Sequence, residues 1–140
     1  MKKKISTDQA PQAIGPYSQA IQLGNLLFIS GQIPLDPQTG QLVQGDIEVQ
    51  TKRVMENLAA IAAAAGMRLA DALKAIVAAA GMTLADALKA TCFLKNMGDF
   101  AKFNGIYAGY FGDTPPARET VEVARLPRDV LVEVSLICGT

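Results

Sequence analysis

The sequence predicts an α+β domain in which a mostly antiparallel sheet carries helices on one face. Apolar and polar residues alternate near both ends of the chain, the apolar period becomes helical in the middle, and turn residues separate these segments. The chain has 140 residues, half of them hydrophobic. A single domain spanning 1–140 with a substantial core is therefore expected.

The N-terminal half is predicted to form a hairpin, a loop and a helix. Two β-like runs flank Gly24-Asn25, which is a two-residue hairpin signal. The following stretch PLDPQTGQL has the prolines and glycine of a loop. From Asp46 the apolar residues recur at helical spacing, acidic residues near the start suit the helix dipole, and Gly66 suits the end.

The C-terminal half is predicted to form a strand, a helix and a second hairpin. The stretch ATCFLK is strand-like, and an aromatic amphipathic helix follows from Asp99 until DTPPAR ends it. The tail alternates on both sides of LPRD, where Pro127 suits position i+1 of a type I turn. This pattern predicts a β-hairpin across that turn.

A tandem repeat lies between these halves. The segment 60–74 is followed at once by a nearly identical copy at 75–89. Two copies are too few for a solenoid. One long helix is compatible with the spacing, but Gly66 and Gly81 would each cost about 1 kcal/mol in a helix interior. We therefore favour an extra short helix from about Leu69 to Ala80.

Composition excludes several classes of function. Basic and acidic residues number 13 each, which disfavours a nucleic-acid partner. The longest apolar run falls far short of a membrane span, and no signal core follows the first methionine. Two cysteines, Cys92 and Cys138, lie in β-like segments, so a cytoplasmic location is expected. Since the sequence contains no histidine, acid–base chemistry must fall to a carboxylate, a tyrosine or a cysteine.

Four stretches read together resemble the RidA/YjgF family of reactive-intermediate deaminases: APQAIGPYSQA, LLFISGQIPLDPQTGQL, FAKFNGIYAGYF and PPARETVEVARLPRDVLVEV. The resemblance covers nearly the whole chain except the repeat, one copy of which is surplus to the family pattern. It implies a chorismate-mutase-like fold and a homotrimer with sites between subunits. It also implies hydrolysis of small 2-imino acids, such as 2-iminobutanoate and 2-iminopropanoate, to 2-keto acids and ammonia without a metal or an organic cofactor.

The resemblance also assigns roles to particular residues. Arg118 matches the family arginine that binds the substrate carboxylate, a role that suits the planar guanidinium fork. Glu133 matches the acidic residue that positions water. If the tail were a simple hairpin, Glu133 would lie roughly opposite Glu122, and such a like-charge pair hints at a functional carboxylate. The resemblance implies five further substrate-binding positions: Tyr17, Ser30, Gly31, Asn104 and Thr120. Thr120 stands where many members have cysteine, so a thiol role is not expected there.

Two other functions stay open on the sequence alone. Some relatives of the family have been given an RNA-cleaving or translation-inhibiting activity, which the zero net charge and the absence of histidine disfavour here. A trimer that keeps the pocket without turnover, as a ligand-binding or chaperone-like protein, is the third reading.

Overall fold

The computed structural model describes residues 1–66 and 84–140. These residues form six strands and two α-helices, together with two short 3-10 segments at Met97–Asp99 and Pro127–Asp129. In chain order the elements are β1 (Lys3–Ile5), β2 (Ala20–Leu23), β3 (Leu26–Gln32), α1 (Ile47–Ala64), β4 (Ala87–Leu94), α2 (Phe100–Ala108), β5 (Ala117–Glu122) and β6 (Val132–Gly139). The short helix predicted from Leu69 to Ala80 lies outside the described residues.

The strands form one sheet in the order β1-β2-β3-β6-β4-β5. Every neighbouring pair is antiparallel except β4 and β5, which are parallel. The predicted α+β class and the mostly antiparallel sheet are thus confirmed. The predicted hairpin is also present, because Leu23 pairs with Leu26 and leaves Gly24-Asn25 as a two-residue loop.

The prediction of a hairpin in the tail is wrong. Strand β4 lies between β5 and β6 and pairs with both, so Glu133 faces Phe93 and is not a neighbour of Glu122. The alternating pattern correctly marks two strands but carries no information about which strand each one pairs with. The turn also differs, since Arg128 adopts a φ of 55° at position i+2, which is typical of a type II turn.

Helix α1 begins and ends at the residues that the sequence predicts. The carboxylate of Asp46 accepts a hydrogen bond from the Val49 backbone N–H at 3.1 Å and so caps the N-terminus. Gly66 follows the last turn with a φ of 79°, the left-handed conformation that glycine adopts at low cost. The first copy of the repeat therefore completes α1, whereas β4 begins at Ala87 in the second copy.

Both helices pack on one face of the sheet, where the core lies. The largest fully buried side chains come from both layers: Phe103, Leu27, Met55, Leu58, Ile61, Leu84, Leu94 and Leu136. The opposite face, here called the open face, has no helix over it among residues 1–66 and 84–140, and its apolar side chains are only partly buried. Phe28 and Val121 on this face are 43% and 44% exposed. In the described part of the chain, neither helix combines the length and the apolar character that crossing a bilayer requires.

Candidate active site

Arg118 and Glu133, the predicted catalytic pair, lie on opposite faces of the sheet. Arg118 pairs with Ala90 of β4 and shares the helix-covered face with that buried residue. Glu133 pairs with Phe93 of the same strand and shares the open face with it. Ala90 and Phe93 point to opposite sides because side chains alternate along a strand. Within one chain the two functional groups are therefore separated by the sheet itself.

An aromatic cradle, formed by Phe100, Phe103 and Tyr107 of α2, holds the Arg118 guanidinium. Its central carbon lies 5.4, 5.9 and 4.8 Å from the three ring centroids. Each such contact stabilises an exposed cation by about 0.5–1 kcal/mol. Nη1 also donates to Oδ1 of Asn104 at 2.7 Å. The four residues recur at the spacing of one helix face, a signal in FAKFNGIY from which the cradle could have been predicted.

Asn104 thus contacts Arg118 and lines the same cavity. A guanidinium carries five N–H donors in a rigid fork. Within the described residues Nη1 bonds Asn104, while Nε and Nη2 of Arg118 make no hydrogen bond. Arg118 borders a cavity of about 530 Å³ with Pro115 and Pro116 on its wall. This free edge has the geometry that binds a carboxylate bidentately.

The polar groups beneath Arg118 are neutral at physiological pH. Burial raises the pKa of the Cys92 thiol to about 11 and outweighs the Arg118 charge, which acts in the opposite direction. Burial likewise raises the pKa of Tyr107 well above its usual value. The hydroxyls of Tyr107 and Thr120 are buried and find no hydrogen-bond partner among residues 1–66 and 84–140. Neither the thiol nor the phenol can serve as a base near pH 7, which leaves that role to a carboxylate.

Glu133 borders a second cavity, of about 340 Å³, on the other side of the sheet. This Glu133 cavity is also lined by Tyr17 and Gly31, so three of the predicted site residues come together here. The Glu133 side chain is partly buried, and burial raises the pKa of its carboxyl group. Its carboxylate makes no hydrogen bond or ion pair with residues 1–66 and 84–140. It is therefore free to engage a ligand or a water molecule.

Gly31 leaves room for the Glu133 side chain, which occupies the space above it. A Cβ on Gly31 would lie 3.0 Å from Cδ and 3.3 Å from Cγ of Glu133, and closer still to Oε1. The glycine lies in a bulge, since Ile29 and Gln32 are three residues apart but pair with residues two apart on β6. The backbone of β3 and the carboxylate of β6 thus approach each other closely at one point.

The remaining predicted residues, Tyr17 and Ser30, lie where the loop before β2 meets β3. The Tyr17 hydroxyl accepts a hydrogen bond from the Ile14 N–H at 3.4 Å, and its side chain is half exposed at the cavity wall. Ser30 donates its hydroxyl to the Ser18 carbonyl at 2.6 Å and does not line the cavity. Within a single chain its hydroxyl therefore holds the loop in place.

Gln19 is a structural residue of this site that the sequence reasoning missed. Its side chain is buried, and its Oε1 accepts from the Thr7 N–H at 2.7 Å. Its Nε2 donates to the carbonyls of Thr7, Ala10 and Pro11. It thereby fixes the loop that forms one wall of the Glu133 cavity. A lone glutamine in a polar loop carries no sequence signal for such a role.

Replacing Glu133 with glutamine is expected to stabilise the folded protein at pH 7. Burial raises the pKa of Glu133 in the folded state above its value in the unfolded state. The protonated carboxyl group therefore contributes its full stabilisation at pH values below the unfolded-state pKa, and this contribution is lost as pH rises through the folded-state pKa. Glutamine does not titrate. Denaturant unfolding of both proteins at about pH 4 and pH 7 should show the advantage of E133Q growing with pH. An advantage that shrinks toward pH 7 would contradict this electrostatic account.

Comparisons with known proteins cover nearly the whole chain. The family model described as Endoribonuclease L-PSP matches residues 7–75 and 70–139, two matches that overlap within the repeated stretch. A RutC family protein of Pyrococcus horikoshii is 53% identical over 137 residues, which are 98% of this chain and 97% of that protein. The 2-iminobutanoate/2-iminopropanoate deaminase of Escherichia coli is 43% identical over 140 residues, covering 98% of this chain and 97% of its own length.

The fold agrees with these sequence matches. The crystal structure of Escherichia coli TdcF with bound serine superposes with a TM-score of 0.83 at 38% identity, covering 99% of this chain and 98% of that one. At this identity and coverage the similarity to TdcF extends along nearly the whole length of both chains.

Proposed function

Because the chain belongs to the RidA/YjgF family, we propose that it hydrolyses reactive 2-imino acids, and the enamines in equilibrium with them, to 2-keto acids and ammonia. The reaction consumes one water: R–C(=NH)–COO⁻ + H₂O gives R–CO–COO⁻ + NH₃. The name of the 43% identical Escherichia coli relative supports 2-iminobutanoate and 2-iminopropanoate as substrates. The fork of Arg118 and the free carboxylate of Glu133 supply the two groups that this chemistry needs.

The proposal rests on one observation: within one chain, the Arg118 guanidinium and the Glu133 carboxylate face opposite sides of the sheet. A small imino acid cannot reach through a sheet, so Arg118 of one subunit must meet Glu133 of another. We therefore propose a homotrimer in which neighbouring subunits share each site. The open face has the apolar surface for such assembly, and a head-to-tail contact repeated around a three-fold axis closes into a ring.

The roles follow from the chemistry of each group. Arg118, held by Asn104 and the aromatic cradle, binds the substrate carboxylate and leaves the C2 carbon over the Glu133 cavity. Glu133 accepts a proton from the attacking water, and its raised pKa brings it closer to the optimum of a base at neutral pH. Collapse of the carbinolamine breaks the C–N bond, and the nitrogen leaves as ammonia after receiving a proton. Tyr17 and Gly31 border the ligand, whereas Thr120 lines neither cavity.

A coupled assay tests this function. A threonine dehydratase releases 2-iminobutanoate, semicarbazide traps the imine that is not yet hydrolysed, and the protein should decrease the yield of semicarbazone. R118A should lower kcat/KM by about 100-fold, because two charge-assisted hydrogen bonds are lost. R125A is the matched control, since Arg125 is exposed and lies outside both cavity linings. Equal activity of R118A and R125A would contradict the assignment.

The endoribonuclease named in the family description is the second candidate. It predicts RNA binding that weakens steeply with salt, because such binding releases counterions from phosphates. The formal net charge of zero gives little support to such binding. Wild-type protein that cleaves RNA but leaves the semicarbazone yield unchanged would favour this alternative.

A further inference from the structure

Arg128 is a charged residue of the Glu133 cavity that the proposed mechanism does not use. It lines this cavity together with Glu133 and Gly31. Its guanidinium makes no hydrogen bond or ion pair with any residue in 1–66 or 84–140. Within the described residues no ion pair or hydrogen bond joins the Arg128 guanidinium to the Glu133 carboxylate, although both groups line this cavity. At about 340 Å³, the cavity has room for a small ligand.

The backbone at Arg128 is held in an unusual conformation. Arg128 and Asp129 have φ angles of 55° and 56°, and the left-handed region costs a non-glycine residue about 1 kcal/mol. The turn is maintained by a bond from the Asp129 N–H to the Leu126 carbonyl at 3.1 Å, and by one from the Val130 N–H to the Pro127 carbonyl at 3.3 Å. Leu126 is buried and anchors the turn. The position of Arg128 at the cavity rim is thus determined by the fold.

The adjacent acid does not neutralise Arg128. Asp129 accepts two hydrogen bonds from Arg125, at 3.1 Å from Nε and 3.4 Å from Nη2. The positive charge of Arg128 is therefore available to an anion in the cavity. The wall beside it is apolar, with Ile33 and Leu35, and would accommodate methylene groups. An apolar wall that ends at a cation fits a short aliphatic chain with a terminal carboxylate.

Building on the proposed deaminase function, we propose that Arg128 is a specificity residue that binds the distal carboxylate of dicarboxylic 2-imino acids such as 2-iminoglutarate. Arg118 of the neighbouring subunit binds the carboxylate beside the imine, Glu133 faces the C2 carbon, and Arg128 binds the far end. The reaction itself is unchanged, so that 2-iminoglutarate and water give 2-oxoglutarate and ammonia.

The test compares two imines of similar length that differ in charge. An L-amino-acid oxidase generates them from glutamate and methionine, and semicarbazide trapping gives kcat/KM for each. The ratio of the two values should fall about tenfold in R128N, because a charge-assisted hydrogen bond is lost. Asparagine tolerates a left-handed backbone, which preserves the turn. R128K keeps the charge and should retain most of the ratio, and thermal melting verifies that both variants fold.

The outcomes separate this inference from the proposed function. An unchanged ratio in R128N, or an equal loss of activity toward both imines, would overturn the role of Arg128 while the deaminase function stands. If the wild-type protein accelerates hydrolysis of neither these imines nor 2-iminobutanoate, the proposed function itself fails.

Discussion

In the proposed homotrimer, mixed trimers made of R118A and E133A subunits are expected to recover about a third of wild-type activity, although each variant alone should keep no more than about a hundredth of it. If each site takes Arg118 from one subunit and Glu133 from the next, a trimer with both kinds of subunit has three interfaces. An interface is functional only when an E133A subunit supplies its intact Arg118 and the next subunit, an R118A subunit, supplies its intact Glu133. Every mixed trimer, whichever variant supplies two subunits, therefore contains one working site.

The experiment uses two affinity tags, one on each variant, and both tags are required in purification. Activity of the doubly purified trimers is then measured with 2-iminobutanoate and normalised to wild-type trimers that carry the same tags. As the control, each variant is produced in both tagged forms and carried alone through the same purification, and its trimers should remain inactive. Purified mixed trimers without activity would show that Arg118 and Glu133 do not act together across an interface.

The features that the sequence predicts correctly are local. Asp46 caps α1 and Gly66 follows its end because capping depends on a few neighbouring residues. Gly24-Asn25 specifies its hairpin for the same reason. The pairing of β5 and β6 with β4 is non-local, and the pattern of alternation is the same whichever strand lies alongside.

Prediction of the candidate site from the sequence is limited in the same way. A resemblance can assign roles to Arg118 and Glu133, but the face each one occupies depends on its register against β4. That register is set by the packing of the whole sheet. The aromatic cradle could have been predicted from the sequence, because its residues repeat with helical spacing. The close approach of Gly31 and Glu133 could not have been predicted in this way, since it joins positions on two strands that are distant in the chain.

This close approach leads to the second large effect, the loss of activity in G31A. A methyl group at residue 31 would occupy the volume of the Glu133 side chain and force the carboxylate out of its present position. General-base catalysis contributes about 10²–10⁴ in rate and depends on placement within hydrogen-bond reach. We therefore expect kcat of G31A for 2-iminobutanoate to fall at least about 100-fold, while the variant remains folded and trimeric.

G105A is the matched control for the added methyl group. Gly105 lies in α2, and a Cβ there would meet nothing within 4 Å. Because alanine favours a helix interior over glycine by roughly 1 kcal/mol, G105A should be active and slightly more stable than wild type. Similar losses of kcat in G31A and G105A would indicate that any added methyl group disturbs assembly.

The double variant G31A/E133Q tests whether the glycine acts through the carboxylate. If Gly31 matters only because it leaves room for Glu133, adding G31A to E133Q should cost little further activity, and the two losses should be strongly non-additive. Independent roles would instead multiply the two losses. Multiplied losses would assign Gly31 a contact with the substrate of its own, such as a hydrogen bond from its backbone N–H. Measuring kcat for the wild type, both single variants and the double variant at one pH decides between these roles.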